Sequence, residues 1–469
     1  KEKYNVNIDI INCNKVFSEI CPAHNNKSIL ISDTFEKKDK VCNSCIKTTN
    51  FYKKKSNLNH IFLNEYILDQ DRTEIDNILK GLNLKNFQNL KVFNVEVSKI
   101  TLFNFLINNK LSSQHLNKKN FEDFKIYMKN TLVALYGFRR IISKKKYNYL
   151  IAYGVEYSLY KVCADYAKQK KLKIMNFIAG KNPSDKYKTI FFAEAYKAGF
   201  VYYANLHWSK FKKKPILKSD LAQVNRYMDS MIQAKSYLNF SLPPKGTNIR
   251  NHFNISNKFK KIVLVALAGT GERLGDHLSG FIQSKKKNCY SKYFDNDYEW
   301  VKYLISHIEK FKDTFFIFRV HPRDYDIHGN MKKSLIIEDY KKLSKSLPTN
   351  SKFDFKEDGI SIYDYIPYVN LLLNSSSVTS YEFGLFGIRT LIFDPKLYYY
   401  SNDLVIYPNN LRNYIPLLKK TLNNDNYDKK KIIINSFKWL SLQFNYESID
   451  ISDVFDVNSS DYLFKILNR

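Results

Sequence analysis

The stretch that most constrains the fold runs from residue 314 to 394. TFFIFRVHPRD reads as a buried strand over 314–320, followed at once by His321-Pro322-Arg323. Further on, DYIPYVNLLLNSSSVTSYEFGLFGIRTLIFDP gives a strand over 369–373, a serine turn, a short helix and a second strand. Apolar runs of strand length broken by a turn and a helix predict a parallel, doubly wound sheet. Ligands of such sheets sit outside the carboxyl ends of the strands. Both polar clusters, His321-Pro322-Arg323 and Ser375-Ser376-Ser377, fall at such ends. The stretch is therefore expected to floor a cleft for a phosphate or a nucleotide.

The short helix carries its own signals. Thr379-Ser380-Tyr381-Glu382 has the pattern of a capping box, and Gly387 suits the residue just past a helix end. A helix N-terminus preceded by hydroxyls offers N–H groups and a favourable dipole to an anion. The competing reading is local: Glu382 caps its own helix and the serines only make a turn.

The rest of the chain arranges itself around that stretch. KIVLVALA, over 260–268, opens the same α/β domain and runs into Gly269-Thr270-Gly271-Glu272-Arg273-Leu274-Gly275-Asp276. This loop is neither GxGxxG nor a Walker A sequence, but Gly271 would let a phosphate approach the backbone and Arg273 could meet its charge. A helix over 298–312, with Trp300, Leu304, Ile308 and Phe311 on one face, leads into the 314–320 strand. Upstream, YNYLIAYG, YSLYKVCADYAKQKK and LKIMNFIAG form a β–α–β unit, with Glu156 on the turn after its first strand. Residues 58–146 have helical periodicity, and the basic run at 139–146 suits a helix C-terminus. Residues 1–50 read as short strands and polar loops, 186–240 as helical and aromatic with His207-Trp208, and the tail from 408 as mostly helical. SLPPKGTNIRNHFNISN, over 241–257, reads as an interdomain linker. The expected organisation is an N-terminal acceptor-side α/β domain over 1–245, a donor-binding α/β domain over 258–410 and C-terminal helices over 411–469.

Hydrophobic residues make up 44% of the 469, enough to bury a core. Lys and Arg total 75 against 45 acidic residues, a formal charge of +30. Such a charge favours nucleotides, nucleic acid or an anionic membrane surface. The chain is also crowded with Asn, Ile and Tyr, so much of its lysine is compositional and charge alone does not choose among these. A basic nucleic-acid-binding protein is the non-enzyme alternative. No helix–turn–helix, RRM or zinc-finger pattern supports it, so no nucleic-acid partner is expected. No apolar run reaches the roughly 18 residues of a membrane span. The opening KEKYNVNIDIINC lacks the apolar core of a secretory signal, and residue 1 is not Met, which leaves room for an upstream segment. The expected location is the cytoplasm, with a basic surface suited to the inner face of the plasma membrane.

Cys13, Cys21, Cys42 and Cys45 crowd the first 45 residues, with His24 among them. Reduced structural thiols are the default in a cytosolic protein. Cys42-Asn43-Ser44-Cys45, joined by two of Cys13, Cys21 and His24, has the chemistry of a structural zinc site.

His321-Pro322 after a strand, then Ser361-Ile362-Tyr363-Asp364-Tyr365-Ile366-Pro367, then Asn374-Ser375-Ser376-Ser377 with Tyr381-Glu382 and Gly387, together resemble a known pattern. It is that of the bacterial glycosyltransferases of surface-polysaccharide assembly, the capsule-type and Kdo-transferase-like families. CDP-glycerol glycerophosphotransferases look similar. The resemblance is best over 300–395. It implies the GT-B architecture, two Rossmann-like doubly wound domains with a cleft between them. It also implies that His321 and Ser375, Ser376 and Ser377 hold the donor's phosphate, and that Glu382 holds its ribose. Arg323 stands beside His321 as a further cation. Bacterial polysialyltransferases place an acidic-acidic-Gly motif before their His-Pro; here Glu357-Asp358-Gly359 follows it, so that motif is not carried over and the donor sugar stays open.

The implied activity is transfer of a sugar from a CMP-, CDP-, UDP- or GDP-linked donor to a polysaccharide or lipid-linked acceptor, inverting and without a metal. The nucleotide sugar is a co-substrate, and no cofactor is expected. A base is needed for the acceptor hydroxyl. Glu156 is the first candidate and His207 the second, with Asp276 a competing carboxylate on the donor side. A glycerophosphotransferase and a non-hydrolysing sugar-nucleotide epimerase are the enzyme alternatives.

Overall fold

The computed structural model describes residues 7–451 except 28, 57, 113–114, 156, 181, 183–187, 196–201, 236–240, 271–293, 295, 326–332, 376, 394–400, 402 and 447. Glu156, Gly271, Arg273, Asp276, Ser376 and Cys289 thus lie outside the described residues. The chain divides into two compact units, Lys1–Met175 and Asn176–Arg469.

In the first unit, β1 (Asp9–Asn12) pairs in parallel with a later strand, and α1 (Pro22–Asn26) and α2 (Phe35–Lys55) follow it. The partner strand is β2 (Asn59–Phe62), with Asp9 opposite Asn59. The sequence reading expects only strands and loops before residue 50, yet α2 is a helix of 21 residues. Thr34 caps it by accepting the N–H of Lys37 at 3.4 Å, and Lys53, Lys54 and Lys55 close the end where cations are favoured. Among the described residues of α2 only Lys38 and Cys42 are buried, so no apolar stripe announces it.

The core of this unit is made by α3 (Asp69–Gly81), α4 (Val97–Asn109) and α5 (Lys118–Lys144). Phe121, Phe124, Met128, Leu132 and Leu135 recur at three- and four-residue spacing along α5 and are buried. Asn117 starts α5 by accepting the N–H groups of Lys119 and Asn120 at 3.0 and 3.2 Å. Arg140 locks α5 to α3 through two bonds to Asp71, from Nε at 2.9 Å and Nη2 at 2.8 Å. Next come β3 (Tyr149–Tyr153), α6 (Ser158–Gln169) and β4 (Lys173–Ala179), the β–α–β unit the sequence predicts. The division between the two units falls within β4.

The second unit begins with β5 (Thr189–Glu194), inside a region read from the sequence as helical, and then has α7 (Tyr202–Phe211) and α8 (Lys218–Ile232). The stretch expected to be a linker is fastened to this unit. Asp364 accepts the N–H groups of Lys245 and Gly246 at 3.1 and 3.0 Å, and the Ser241 hydroxyl accepts that of Ile362 at 2.9 Å. Gly246 takes φ +70°, a left-handed turn that glycine makes without strain. The short α9 (Ile249–His252) then leads into the sheet.

That sheet holds β6 (Lys261–Ala266), β7 (Thr314–Arg319), β8 (Ser351–Asp354), β9 (Leu371–Asn374) and β10 (Arg389–Ile392). Its order is β10-β9-β6-β7-β8 and every pairing is parallel. The connections include α10 (Asp297–Ile308) before β7, α11 (Ile336–Leu343) before β8 and α12 (Thr379–Gly384) before β10. Successive strand residues serve opposite faces. Val263, Val265, Leu371 and Leu373 pack with Trp300, Leu304 and Leu418, whereas Ile262, Leu264 and Leu372 pack with Ile249, Phe253 and Phe383. Both faces are covered, which is why the strands read as unbroken apolar runs. The unit is a Rossmann-like, doubly wound α/β domain, as the sequence predicts. After α13 (Tyr414–Asn423) and α14 (Lys429–Ser441), the short β11 (Ile449–Asp450) pairs antiparallel with β5. Among the described residues no helix is long and apolar enough to cross a membrane.

Candidate functional site

The strand order reverses between β6 and β9: the chain builds outward from β6 through β7 to β8, then returns to β6's other side. Loops leaving the carboxyl ends of two such strands diverge and open a crevice. At this end of the second unit stand the residues after β6, the His321 turn after β7 and the serine turn after β9.

The His321 turn is a single 3₁₀ turn, Pro322–Asp324. His321 caps it, its Nδ1 accepting the N–H of Arg323 at 3.1 Å. A ring nitrogen that accepts carries no proton, so in the neutral ring the proton sits on Nε2, a donor suited to a phosphate oxygen. His321 and Arg323 are both half-buried. Asp324, the next residue, is buried and accepts the N–H of Thr270 at 2.8 Å, and its carbonyl accepts the N–H of Ser334 at 2.7 Å. The Ser334 hydroxyl donates to that of Thr270 at 3.1 Å.

On the β9 side, Ser375 is fully buried and its hydroxyl donates to Asp297 at 3.2 Å. Asp297, at the start of α10, also accepts the N–H of Ala268 at 2.8 Å. Two carboxylates, Asp297 and Asp324, therefore hold the loop after β6 by its backbone. Neither appears in the sequence reading, although each directly follows or begins an element that the reading identified. Ser377 is half-buried and its hydroxyl accepts the N–H of Thr379 at 3.3 Å. Of the residues expected to meet a phosphate, the described part of the structure brings His321, Arg323 and Ser377 to this edge with some exposure, and places Ser375 beneath it.

Glu382 differs from the capping-box expectation. Val378, not Thr379, is the cap residue of α12, and it makes no side-chain cap. Glu382 is 1% exposed. Tyr227, on α8, donates to its Oε1 at 2.5 Å, and Tyr363 donates to Oε2 at 3.4 Å. Burial pushes its carboxyl up to about 7, while the two hydroxyls pull the other way. Gly387, by contrast, takes φ +77° just past the helix, as the sequence suggests.

Behind the site, Arg319 and Asp354 form a buried pair across β7 and β8. Tyr365 donates to Asp354 at 2.8 Å, and Arg319 Nη2 donates to the Ile360 carbonyl at 2.9 Å. Burial raises the Asp354 carboxyl, with Arg319 opposing it. This network fixes the strand end that presents His321.

No family model matches the sequence, and no curated protein matches it. Solved structures do. The chain is similar to KpsC of Thermosulfurimonas dismutans, a beta Kdo 2,4 transferase, at 14% identity and TM-score 0.37, covering 65% of this chain and 84% of that one. It is similar to S. aureus MnaA in a UDP co-structure, at 12% identity and TM-score 0.33, covering 80% and 96%. A third is the Methanocaldococcus jannaschii UDP-GlcNAc 2-epimerase in complex with UDP-GlcNAc and UDP, at 14% identity and TM-score 0.30, covering 71% and 94%. At these identities and TM-scores none of the three bears on the chemistry of the site.

Of the two expected catalytic residues, one lies outside the described residues and the other is on α7. Glu156 is not described. His207 is exposed on α7, in the second unit, where its neighbour Trp208 is buried and donates to Asp403 at 2.9 Å. Lys212 joins the same carboxylate at 2.7 Å, and Trp208 meets Trp439 edge-on with centroids 5.3 Å apart. Trp208 thus anchors α7. Among the described residues, no group of three or more His, Cys, Asp or Glu is arranged to hold a metal ion.

Proposed function

We propose that this chain is a glycosyltransferase of the GT-B type that moves a sugar from a nucleotide-linked donor to a polysaccharide or lipid-linked acceptor. The observation that carries the reading is the reversal of strand order between β6 and β9, with His321, Arg323 and Ser377 on its carboxyl edge. In this reading the Nε2–H of His321 and the Arg323 guanidinium meet the donor phosphate. They stabilise the charge that grows on it as the glycosidic bond breaks. Ser375 and Ser377 shape the turn below it. Gly271, Arg273 and Ser376, which lie outside the described residues, are assigned to phosphate binding on the sequence reading alone. Glu382 holds the ribose by exchanging a tyrosine partner for a sugar hydroxyl. Glu156 takes the acceptor's proton, with His207 as the competing base, and the displacement inverts the anomeric carbon without a metal. The work is done at the cytoplasmic face of a membrane that the basic surface can touch.

The test is acceptor dependence. The chain is incubated with CMP-, CDP-, UDP- and GDP-sugars, with and without polysaccharide fragments or lipid-linked acceptors, and released nucleotide and sugar products are analysed. Transfer predicts nucleotide release that requires an acceptor. An epimeric sugar formed with no acceptor present would replace the transferase reading by an epimerase, and, with CDP-glycerol as donor, CMP release coupled to glycerol phosphate appearing on the acceptor would replace it by a phosphotransferase. In the same assay Glu156→Gln should lower single-turnover transfer by about 10² to 10⁴-fold, the usual contribution of a general base, with donor affinity unchanged. Turnover near the parent's would move the role to His207.

A further inference from the structure

Two basic runs of the first unit, Lys53-Lys54-Lys55 and Lys144-Lys145-Lys146, are exposed and far apart in the chain. The first closes α2, and the second starts at the last residue of α5. The β1–β2 pair brings them together. β2 begins four residues after Lys55, and Asn59 at its start donates to Asp9 Oδ1 at 3.1 Å. Lys145 and the Tyr147 hydroxyl donate to Asp9 Oδ2 at 2.8 and 2.7 Å. Lys53 lies over the Phe62 ring, at the other end of β2, 5.0 Å from its centroid, and Lys144 lies over Tyr66 at 4.6 Å. Both runs thus converge on one pair of strands, which neither run shows in sequence.

The segments so joined, residues 8–12, 51–66 and 144–151, carry these six lysines against two carboxylates, Asp9 and Glu65. The Asp9 side chain is only 6% exposed and is shared among three donors, so it presents little charge to solvent. Apolar side chains stand out between the lysines. Ile8 and Ile11 are exposed, and the alternation of a strand puts Ile11 on Asp9's side of β1. Phe51 and Tyr52, exposed just before the first run, meet edge-on with centroids 5.4 Å apart. Tyr149 and Ile151, exposed on one side of β3, follow the second run, with Lys173 over the Tyr149 ring at 5.7 Å. A single exposed apolar side chain is ordinary, but a group of them set among clustered lysines marks a contact surface. Nucleic acid would take the lysines and stack bases on the rings, but it offers the isoleucines nothing. An anionic bilayer takes all three kinds of side chain.

We propose that this face of the first unit, built on β1–β2 and the ends of α2 and α5, docks on an anionic lipid bilayer. The lysine ammonium groups meet the headgroup phosphates while their stems lie along apolar surface. The rings of Phe51, Tyr52 and Tyr149 sit at headgroup level, and the isoleucines reach the acyl boundary. The face builds on the membrane contact of the proposed function, of which it names the residues and the lipid class, but it needs none of the transfer chemistry.

The test is sedimentation of the full chain with vesicles of phosphatidylcholine alone and of an equimolar mixture with phosphatidylglycerol, at physiological salt. The parent should bind the mixed vesicles and not the neutral ones. The Lys53→Gln/Lys54→Gln/Lys55→Gln variant should bind them on the order of 100-fold more weakly, about fivefold for each lysine near an anionic surface. Lys429→Gln/Lys430→Gln/Lys431→Gln removes the same charge from exposed positions on α14, in the second unit, and should bind as the parent does. Phe51→Ser, which leaves the charge unchanged, should also weaken binding. Binding indifferent to phosphatidylglycerol, or equal loss in the two triple variants, overturns the face. Duplex DNA bound as tightly as the mixed vesicles, with the same loss in the 53–55 variant and none in Phe51→Ser, would give it to nucleic acid instead. Transfer to a soluble acceptor fragment without vesicles should be equal in the parent and the 53–55 variant. A failure of transfer therefore bears on the proposed function, and a failure of vesicle binding on this face.

Discussion

At the residue scale the account turns on His321 and Glu382. Their tautomer and protonation follow from neighbours that local sequence shows in one case and hides in the other. The partner of His321 Nδ1 is two residues away, so this cap is local to HPRD. The partner of Glu382 is Tyr227, 155 residues earlier, and no local pattern reports it. A capping box was the best local reading, and a tertiary contact overrode it. The raised carboxyl has a consequence for stability. Its value moves from 4.5 to about 7 on folding, so the folded state holds the extra proton between those limits. Stability from this group is complete below about pH 4.5 and is lost as pH rises through about 7, with a total on the order of 3 kcal/mol. Glu382→Gln should remove that dependence. In chemical denaturation at pH 5 and pH 7.5 the parent should lose stability relative to the variant at the higher pH. Parallel behaviour of the two would show that the carboxyl does not titrate in this window. If Glu382 also holds the ribose, the variant loses donor affinity at both pH values.

At the element scale, the strands of the second unit were legible because both their faces are covered and their sequences are correspondingly apolar throughout. Leu372 on β9 is fully buried, and Leu372→Ala should cost about 2–5 kcal/mol, measured by urea unfolding. A cost below about 1 kcal/mol would mean that β9 is not central. The helix α2 was not legible because its sequence is polar on nearly every side, and β5 was hidden in an aromatic stretch read as helix. At the start of the loop after β6, the N–H groups of Ala268 and Thr270 are taken by Asp297 and Asp324, while 271–276, where the sequence places phosphate contact, lie outside the described residues. Asp297→Ala leaves the Ala268 N–H and the Ser375 hydroxyl without that acceptor. It should cost about 1–3 kcal/mol and weaken nucleotide binding with it. Asp297→Asn, which keeps an acceptor oxygen, should recover most of both; equal loss in the two variants would remove the tether from the account.

At the scale of the whole molecule, the α/β class was legible, while the point of division was not. The Pro- and Gly-rich stretch looks like a linker because composition records turns but not their tertiary fastening. Here Asp364 holds that stretch to the second unit. The charge of +30 makes a different prediction. Binding to DNA or RNA through surface lysines should collapse between 50 and 200 mM salt, by about 10³ to 10⁵-fold for 6–10 phosphate contacts. A nucleotide held by a few built contacts should weaken far less, and equal salt sensitivity for the two would favour a general polyanion binder. The central claim is that the carboxyl edge of β6, β7 and β9 holds a nucleotide through His321. Its most direct measurement is thermal unfolding with CMP, CDP, UDP or GDP, for the parent and for His321→Ala. A ligand at about 100 times its dissociation constant stabilises by roughly 2.7 kcal/mol. The account predicts that at least one of the four raises the parent's melting temperature, and that His321→Ala, folded as well as the parent, loses about tenfold or more in affinity for it. No shift with any of the four, or a His321→Ala variant that binds as the parent does, would contradict it.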